Sequence, residues 1–317
     1  MTSFAFVFPG QGSQSVGMLD AWRTEGGALH PAVQSTLEEA NGALDYDLAR
    51  LIAEGPKEQL DLTTQTQPAM LAADIACYRA WLAEGGAEPA IVAGHSLGEY
   101  AALVAAGALE LRDALPLVRF RAEAMQEAVP AGQGGMAAIL GLDGAVVREG
   151  CAEAAAACGE AVEAVNFNDP KQIVIAGTQA GVAKACEILK AKGAKRALPL
   201  PVSAPFHSSL MKPAAERLRE KLAAAPFKAP RIPVLNNVDV EGASDPAAIR
   251  DALYRQAFGA VRWVETIEAM AARGITHVVE CGPGKALSGM VKRIDAALVT
   301  ASVSDPASLA ATQEVLK

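Results

Sequence analysis

The sequence predicts an α/β protein: a core built on a parallel sheet, interrupted by an inserted α+β unit. Three observations carry this reading. Short apolar runs, such as Phe4–Phe8 and Ala90–Ala93, alternate with segments of helical period. The second run enters Gly94-His95-Ser96-Leu97-Gly98, a serine held between glycines where a strand passes into a helix. Beyond the Gly/Pro-rich stretch 130–135 the order changes to β-α-β-β-α-β over about 65 residues, a ferredoxin-like pattern.

Composition narrows the function classes. The chain has 317 residues, 51% apolar and 20% charged, enough for a sizeable core of alanine, leucine and valine. Its net charge of -8 argues against general nucleic-acid binding, which needs a basic surface, so no nucleic-acid partner is expected. No apolar run approaches the roughly 20 residues of a membrane span, and the segment 1–9 lacks a basic stretch or a cleavage site. Five cysteines without C-x-x-C spacing read as small buried hydrophobes in a reducing compartment, with no disulfide and no metal. A cytoplasmic protein is expected.

In chain order, Phe4–Phe8 is a buried strand that leaves at Pro9-Gly10 into the polar loop Gln11-Gly12-Ser13-Gln14. Such a loop lies where open α/β sheets place ligands. Residues 31–42 and 46–55 have helical spacing. The polar stretch Thr63–Pro68 precedes a helix that starts near Pro68 and runs to about Glu84. The elbow strand and helix follow, then a helix from about Asp113 to Val129. Its apolar stripe, Ala114, Leu117, Val118, Ala122, Met125 and Val129, contains Arg121, while Arg119 falls off it. A buried arginine must meet either a protein carboxylate or a ligand anion.

The inserted unit is expected over 133–201, flanked by 1–132 and 202–317 as one discontinuous catalytic domain. Its strands are 136–140, 162–166, 172–176 and 195–200, and its helices 145–158 and 179–191. The chain returns through Pro205-Phe206-His207, a helix over 212–225, a short strand 234–238, helices 247–258 and 262–272, a strand 276–280, and Gly282-Pro283-Gly284-Lys285 into another helix. The last dozen residues have weak helical character.

A serine between glycines on such a turn is thrust outward above a helix N-terminus, but it needs a base to act as a nucleophile. Of four histidines, His95 adjoins Ser96 on a turn that makes neighbouring side chains diverge. His30 lies in a surface-like stretch, and His277 reads as a packed strand residue. His207, on a proline-stiffened loop before a helix, is the candidate. Asp113, Asp143 and Asp169 are not at strand ends that could aim a carboxylate at it, so a Ser96–His207 dyad is expected.

Gly10-Gln11-Gly12-Ser13-Gln14, Gly94–Gly98, Arg121, Asn166-Phe167-Asn168, His207, Arg255-Gln256 and Gly282-Pro283-Gly284, in this order, resemble the malonyl-CoA:acyl-carrier-protein transacylase family. The likeness runs over essentially the whole chain. It implies an α/β-hydrolase-like core with the ferredoxin-like insertion, and an acyltransferase that works by ping-pong transfer in fatty-acid synthesis. Ser96 would carry the malonyl ester, with His207 as its base. The backbone N–H groups of Gln11 and Leu97 would form the oxyanion hole, the carbonyl of Gln256 would orient His207, and Arg121 would bind the malonyl carboxylate. The substrates implied are malonyl-CoA and the phosphopantetheine thiol of acyl carrier protein, with no bound cofactor, no membrane partner and a monomeric chain. An esterase or thioesterase on the same elbow, a polyketide-pathway malonyltransferase and a noncatalytic carrier-protein-binding module are the alternatives. Lys192, Lys195, Arg196, Lys285, Lys292 and Arg293 are candidate docking cations.

Overall fold

The computed structural model describes residues 2–130, 132–202 and 204–317. Met1 and Ala131 of the expected segment 1–132, and Ser203 of 202–317, lie outside them.

Nine strands form two sheets among the described residues: β1 (Phe4–Phe8), β2 (Ile91–Gly94), β3 (Gly134–Leu140), β4 (Val162–Asp169), β5 (Gln172–Thr178), β6 (Arg196–Pro199), β7 (Val234–Leu235), β8 (His277–Cys281) and β9 (Val299–Val303). The first sheet is parallel throughout, in the order β7-β2-β1-β8-β9. Its central strand, β1, is buried along its length, as a parallel strand covered on both faces must be. Alternation then sorts its residues. Phe4, Phe6 and Phe8 meet Tyr78 and Trp81 edge-on, while Ala5 and Val7 face Trp263 and Ile267.

The second sheet is antiparallel, in the order β4-β5-β3-β6. Helices Gly144–Cys158 and Gln179–Ala191 cover one face of it through Ala137, Ile139, Ile173 and Ile175. Met136, Val165 and Val174 line the other face with Leu200, Val202 and Phe206. β4 is tied to the parallel part by reciprocal backbone bonds, Phe167 N–H to Val261 O at 3.0 Å and Val261 N–H to Val165 O at 2.8 Å. Gly134 is needed where the two crossing connections meet, since a Cβ there would lie 2.4 Å from the Pro205 ring.

Four expectations need correction. Of the five cysteines expected to be buried, Cys77, Cys151 and Cys281 are, but Cys186 is half-buried and Cys158 exposed. The helix expected from Pro68 spans Thr63–Ala83, with Pro68 inside it. Its polar first turns belong to the helix because their side chains are used internally. Thr66 Oγ1 donates to the Leu60 and Leu62 carbonyls, and Gln67 is buried. The C-terminal part is more ordered than its composition suggests. It holds β9 and helix Pro306–Val315, whose start is fixed by a reciprocal cap between Asp305 and Ser308. His277 is not a packed core residue: it is half-buried at the start of β8, and its Nδ1 lies 2.9 Å from Thr276 Oγ1.

Candidate active site

The elbow forms where β1 and β2 end side by side, with Phe8 paired to Gly94. Its glycines answer to close approach. A Cβ on Gly94 would lie 1.8 Å from the Gly98 backbone, and one on Gly98 would lie 2.1 Å from Phe8 O. Gly10 packs equally tightly, since its Cβ would stand 2.6 Å from His95 O. The loop after β1 is thereby pressed against the elbow at Gly10, next to Gln11, with Leu97 N 3.7 Å from that Cβ position. Neither of these two N–H groups has a protein acceptor among the described residues. Both residues line one cleft of about 270 Å³ above Ser96.

Three non-glycine residues among those described have positive φ, and two of them are Ser96 (53°) and His207 (64°). That backbone is sterically costly and persists only where the surroundings enforce it. Ser96 Oγ lies 2.7 Å from His207 Nε2, and His207 Nδ1 lies 2.9 Å from the Gln256 carbonyl. A carbonyl can only accept, so Nδ1 carries the hydrogen and Nε2 is free to take a proton from the serine. His207 is 3% exposed. Burial, and then the positive field of Arg121, push its pKa down to about 3, which keeps the ring neutral.

His95 points elsewhere, with Nε2 2.8 Å from Asn168 Oδ1 and its ring edge-on to Trp263. The acids weighed from the sequence are also remote in function. Asp143 pairs with Lys171, and Asp169 with Arg293. No carboxylate among the described residues bonds to His207.

Arg121 is 1% exposed on helix Leu111–Glu127, whereas Arg119, two residues earlier, is half-buried and paired with Asp45 and Glu123. Arg121 meets no carboxylate among the described residues. Nη1 donates to Gln67 Oε1 (2.7 Å), and Nη2 to Gln256 Oε1 (2.9 Å) and Ser96 Oγ (3.3 Å). Its buried Nε has no partner among the described residues. Burial lowers its pKa, opposed by the nearby Tyr100 and Glu99. A guanidinium nevertheless stays charged, so a cation stands beside the serine with spare donors and no counter-charge in contact.

Gln67, Glu99 and Asn237 belong to this site, and sequence reasoning did not select them. Gln67 had a legible signal, because it continues the helical stripe of Met70, Cys77 and Trp81 toward the N-terminus. Asn237 follows a two-residue strand that offers little pattern. Its side chain clamps the elbow, accepting from Ser96 N–H at 2.8 Å and donating to Gly94 O at 2.7 Å. Of the docking cations, Lys192 is engaged by Glu153 and Arg293 by Asp169.

A parallel α/β core with a serine at a strand–helix elbow defines an acyl-transferring class, and comparison with known proteins agrees. The family model described as an acyl transferase domain matches residues 5–305. A malonyl CoA-acyl carrier protein transacylase of Salmonella typhimurium is 54% identical over 311 residues, covering 98% of this chain and 99% of the relative. An acyl-carrier-protein S-malonyltransferase of Burkholderia pseudomallei superposes with a TM-score of 0.95 at 65% identity, covering 99% of this chain and 100% of that one. A malonyl-transacylase solved with its type II polyketide acyl carrier protein superposes with a TM-score of 0.95 at 48% identity, over 99% and 100% of the two chains. The chain belongs to the malonyl-CoA:acyl-carrier-protein transacylase family and is an acyltransferase enzyme.

Proposed function

We propose that this enzyme carries the malonyl group as an ester on Ser96. Ser96 Oγ attacks the thioester carbonyl of malonyl-CoA while His207 Nε2 takes the hydroxyl proton. The Gln11 and Leu97 N–H groups receive the developing oxyanion. The carbon–sulfur bond then breaks, and His207 returns the proton to the coenzyme A sulfur. In the second half, the phosphopantetheine thiol of acyl carrier protein gives its proton to His207 and attacks the ester. Ser96 Oγ leaves and recovers the proton. The Gln256 carbonyl holds the imidazole in the required tautomer throughout, so no acid is needed there.

The observation that carries this reading is the buried Arg121 guanidinium, with no carboxylate contact among the described residues and 3.3 Å from the serine hydroxyl. An esterase for neutral acyl groups has no use for it. The malonyl carboxylate supplies the missing charge. Arg121→Ala should lower acylation by malonyl-CoA at least about tenfold more than acylation by acetyl-CoA. Equal losses would refute the carboxylate assignment.

Residues 133–201 are taken as one inserted unit and 1–132 with 202–317 as the catalytic domain. The separate antiparallel sheet and its own helix-covered core support that division. Supply of fatty-acid synthesis is the assigned role, with polyketide supply as the alternative. Rates with carrier proteins of the two pathways separate them. No helix among the described residues is long and apolar enough to cross a membrane. A cytoplasmic address is the reading carried by the cysteine usage, an odd number without C-x-x-C spacing. A monomeric state is testable by sedimentation.

A further inference from the structure

Among the described residues, Glu99 is the one carboxylate hydrogen-bonded into the site, and the mechanism above does not use it. It sits in the first turn of helix Gly98–Ala105 and is 2% exposed. Its Oε2 accepts from the Asn237 backbone N–H at 2.9 Å and from Gln256 Nε2 at 3.0 Å. The same Nε2 donates to the Ser96 carbonyl at 2.8 Å. Both hydrogens of the Gln256 amide are therefore drawn to one side, toward Glu99 and the elbow. Its oxygen is left facing Arg121 Nη2 at 2.9 Å. A flipped amide would set its NH2 against the guanidinium and leave Glu99 without its donor, so the network admits one orientation.

We propose that Glu99 is a positioning residue which, through the side-chain amide of Gln256, sets the Arg121 guanidinium for the malonyl carboxylate. Gln256 then has two separate tasks: its main-chain carbonyl orients the base, and its side chain orients the specificity cation. The competing role is a local one, a negative charge favoured at a helix N-terminus. That role predicts lost stability but no change in which acyl group is preferred.

The inference rests on Arg121 binding the malonyl carboxylate, and Arg121→Ala is the control that separates the two. kcat/KM for malonyl-CoA and the rate of acyl-enzyme formation with acetyl-CoA would be measured for Glu99→Ala, Glu99→Gln and Gln256→Leu, with thermal melts alongside. Glu99→Ala should reduce the malonyl-to-acetyl ratio about tenfold, through KM more than kcat. Glu99→Gln, which can still accept from both donors, should restore most of that ratio. Gln256→Leu keeps the main-chain carbonyl and should reduce the ratio as Glu99→Ala does. Should Glu99→Ala fail to fold, the other two variants decide. A ratio unchanged in Glu99→Ala and Gln256→Leu while Arg121→Ala collapses it would overturn the role of Glu99 and leave Arg121 standing. A ratio unchanged in Arg121→Ala would instead remove the reading beneath it.

Discussion

The two walls of the cleft are built on different principles. On the parallel-sheet side, Ser96, Arg121, His207, Gln256, Glu99 and Asn237 form a continuous hydrogen-bonded network that leaves Arg121 Nε without a partner among the described residues. On the antiparallel side, the wall is largely apolar, made by Met136, Val174 and Leu200, with Asn166 and Asn168 as neutral polar groups. One wall holds a buried cation and a neutral imidazole in fixed hydrogen bonds, and the other is mainly apolar surface. Buried polar networks fail abruptly when one member is lost, whereas apolar walls yield gradually. Substitutions on the first wall should be severe and specific, and those on the second mild and graded.

His207→Ala is the sharpest way to break the networked wall. It should lower the rate of Ser96 acylation by about 10²–10⁴ in stopped-flow or single-turnover assays. Because the His207 pKa is pushed down to about 3, the basic form persists into acid. The acidic limb of kcat/KM should therefore fall well below the ordinary histidine value of 6.5; a limb at 6.5 would mean the free ring is not held neutral as described.

Gly98→Ala tests the packing beneath the network. Its Cβ would meet Phe8 O at 2.1 Å, a backbone atom with nowhere to go. Equilibrium denaturation should show a loss of about 2–4 kcal/mol together with lost acylation.

Asp74, under the Gly282 turn, is fully buried and neither carboxyl oxygen has a partner among the described residues. Burial, and then the charge of Glu280, raise its pKa well above 3.8, so it keeps its proton in the fold. The unfolded chain ionises above about 3.8, and this group therefore costs about 1.4 kcal/mol of stability per pH unit until its folded pKa is passed. Asp74→Asn removes the slope. Its stability gain over the natural chain should be larger at pH 7 than at pH 5 in urea melts, and an equal gain at both would contradict this.

On the apolar wall, Met136→Ala should change the malonyl acylation rate only a few-fold while relaxing the size of acyl group accepted. A loss as large as that of His207→Ala would erase the distinction between the walls.

The elements easiest to read were those whose pattern is local. The elbow glycines, the β-α-β-β-α-β order and the buried register of Arg121 all follow from spacing along a short stretch. What escaped the sequence was partnership across the chain. The expected helix start at Pro68 hid Gln67, because a polar turn resembles a loop until its side chains find Leu60, Leu62 and Arg121. Glu99 lay two residues beyond the elbow glycine-flanked serine's neighbour Leu97, yet only the fold shows that its carboxylate turns toward Gln256. β9 was missed because a half-buried edge strand of a parallel sheet carries little apolar signal.

The most direct test of the malonyl-ester account is intact-protein and peptide mass spectrometry after brief exposure to malonyl-CoA. One malonyl group per chain should appear on the peptide containing Ser96, disappear on adding phosphopantetheinylated acyl carrier protein, and be absent from Ser96→Ala. A malonyl adduct retained in Ser96→Ala, or none on the natural chain, would contradict it.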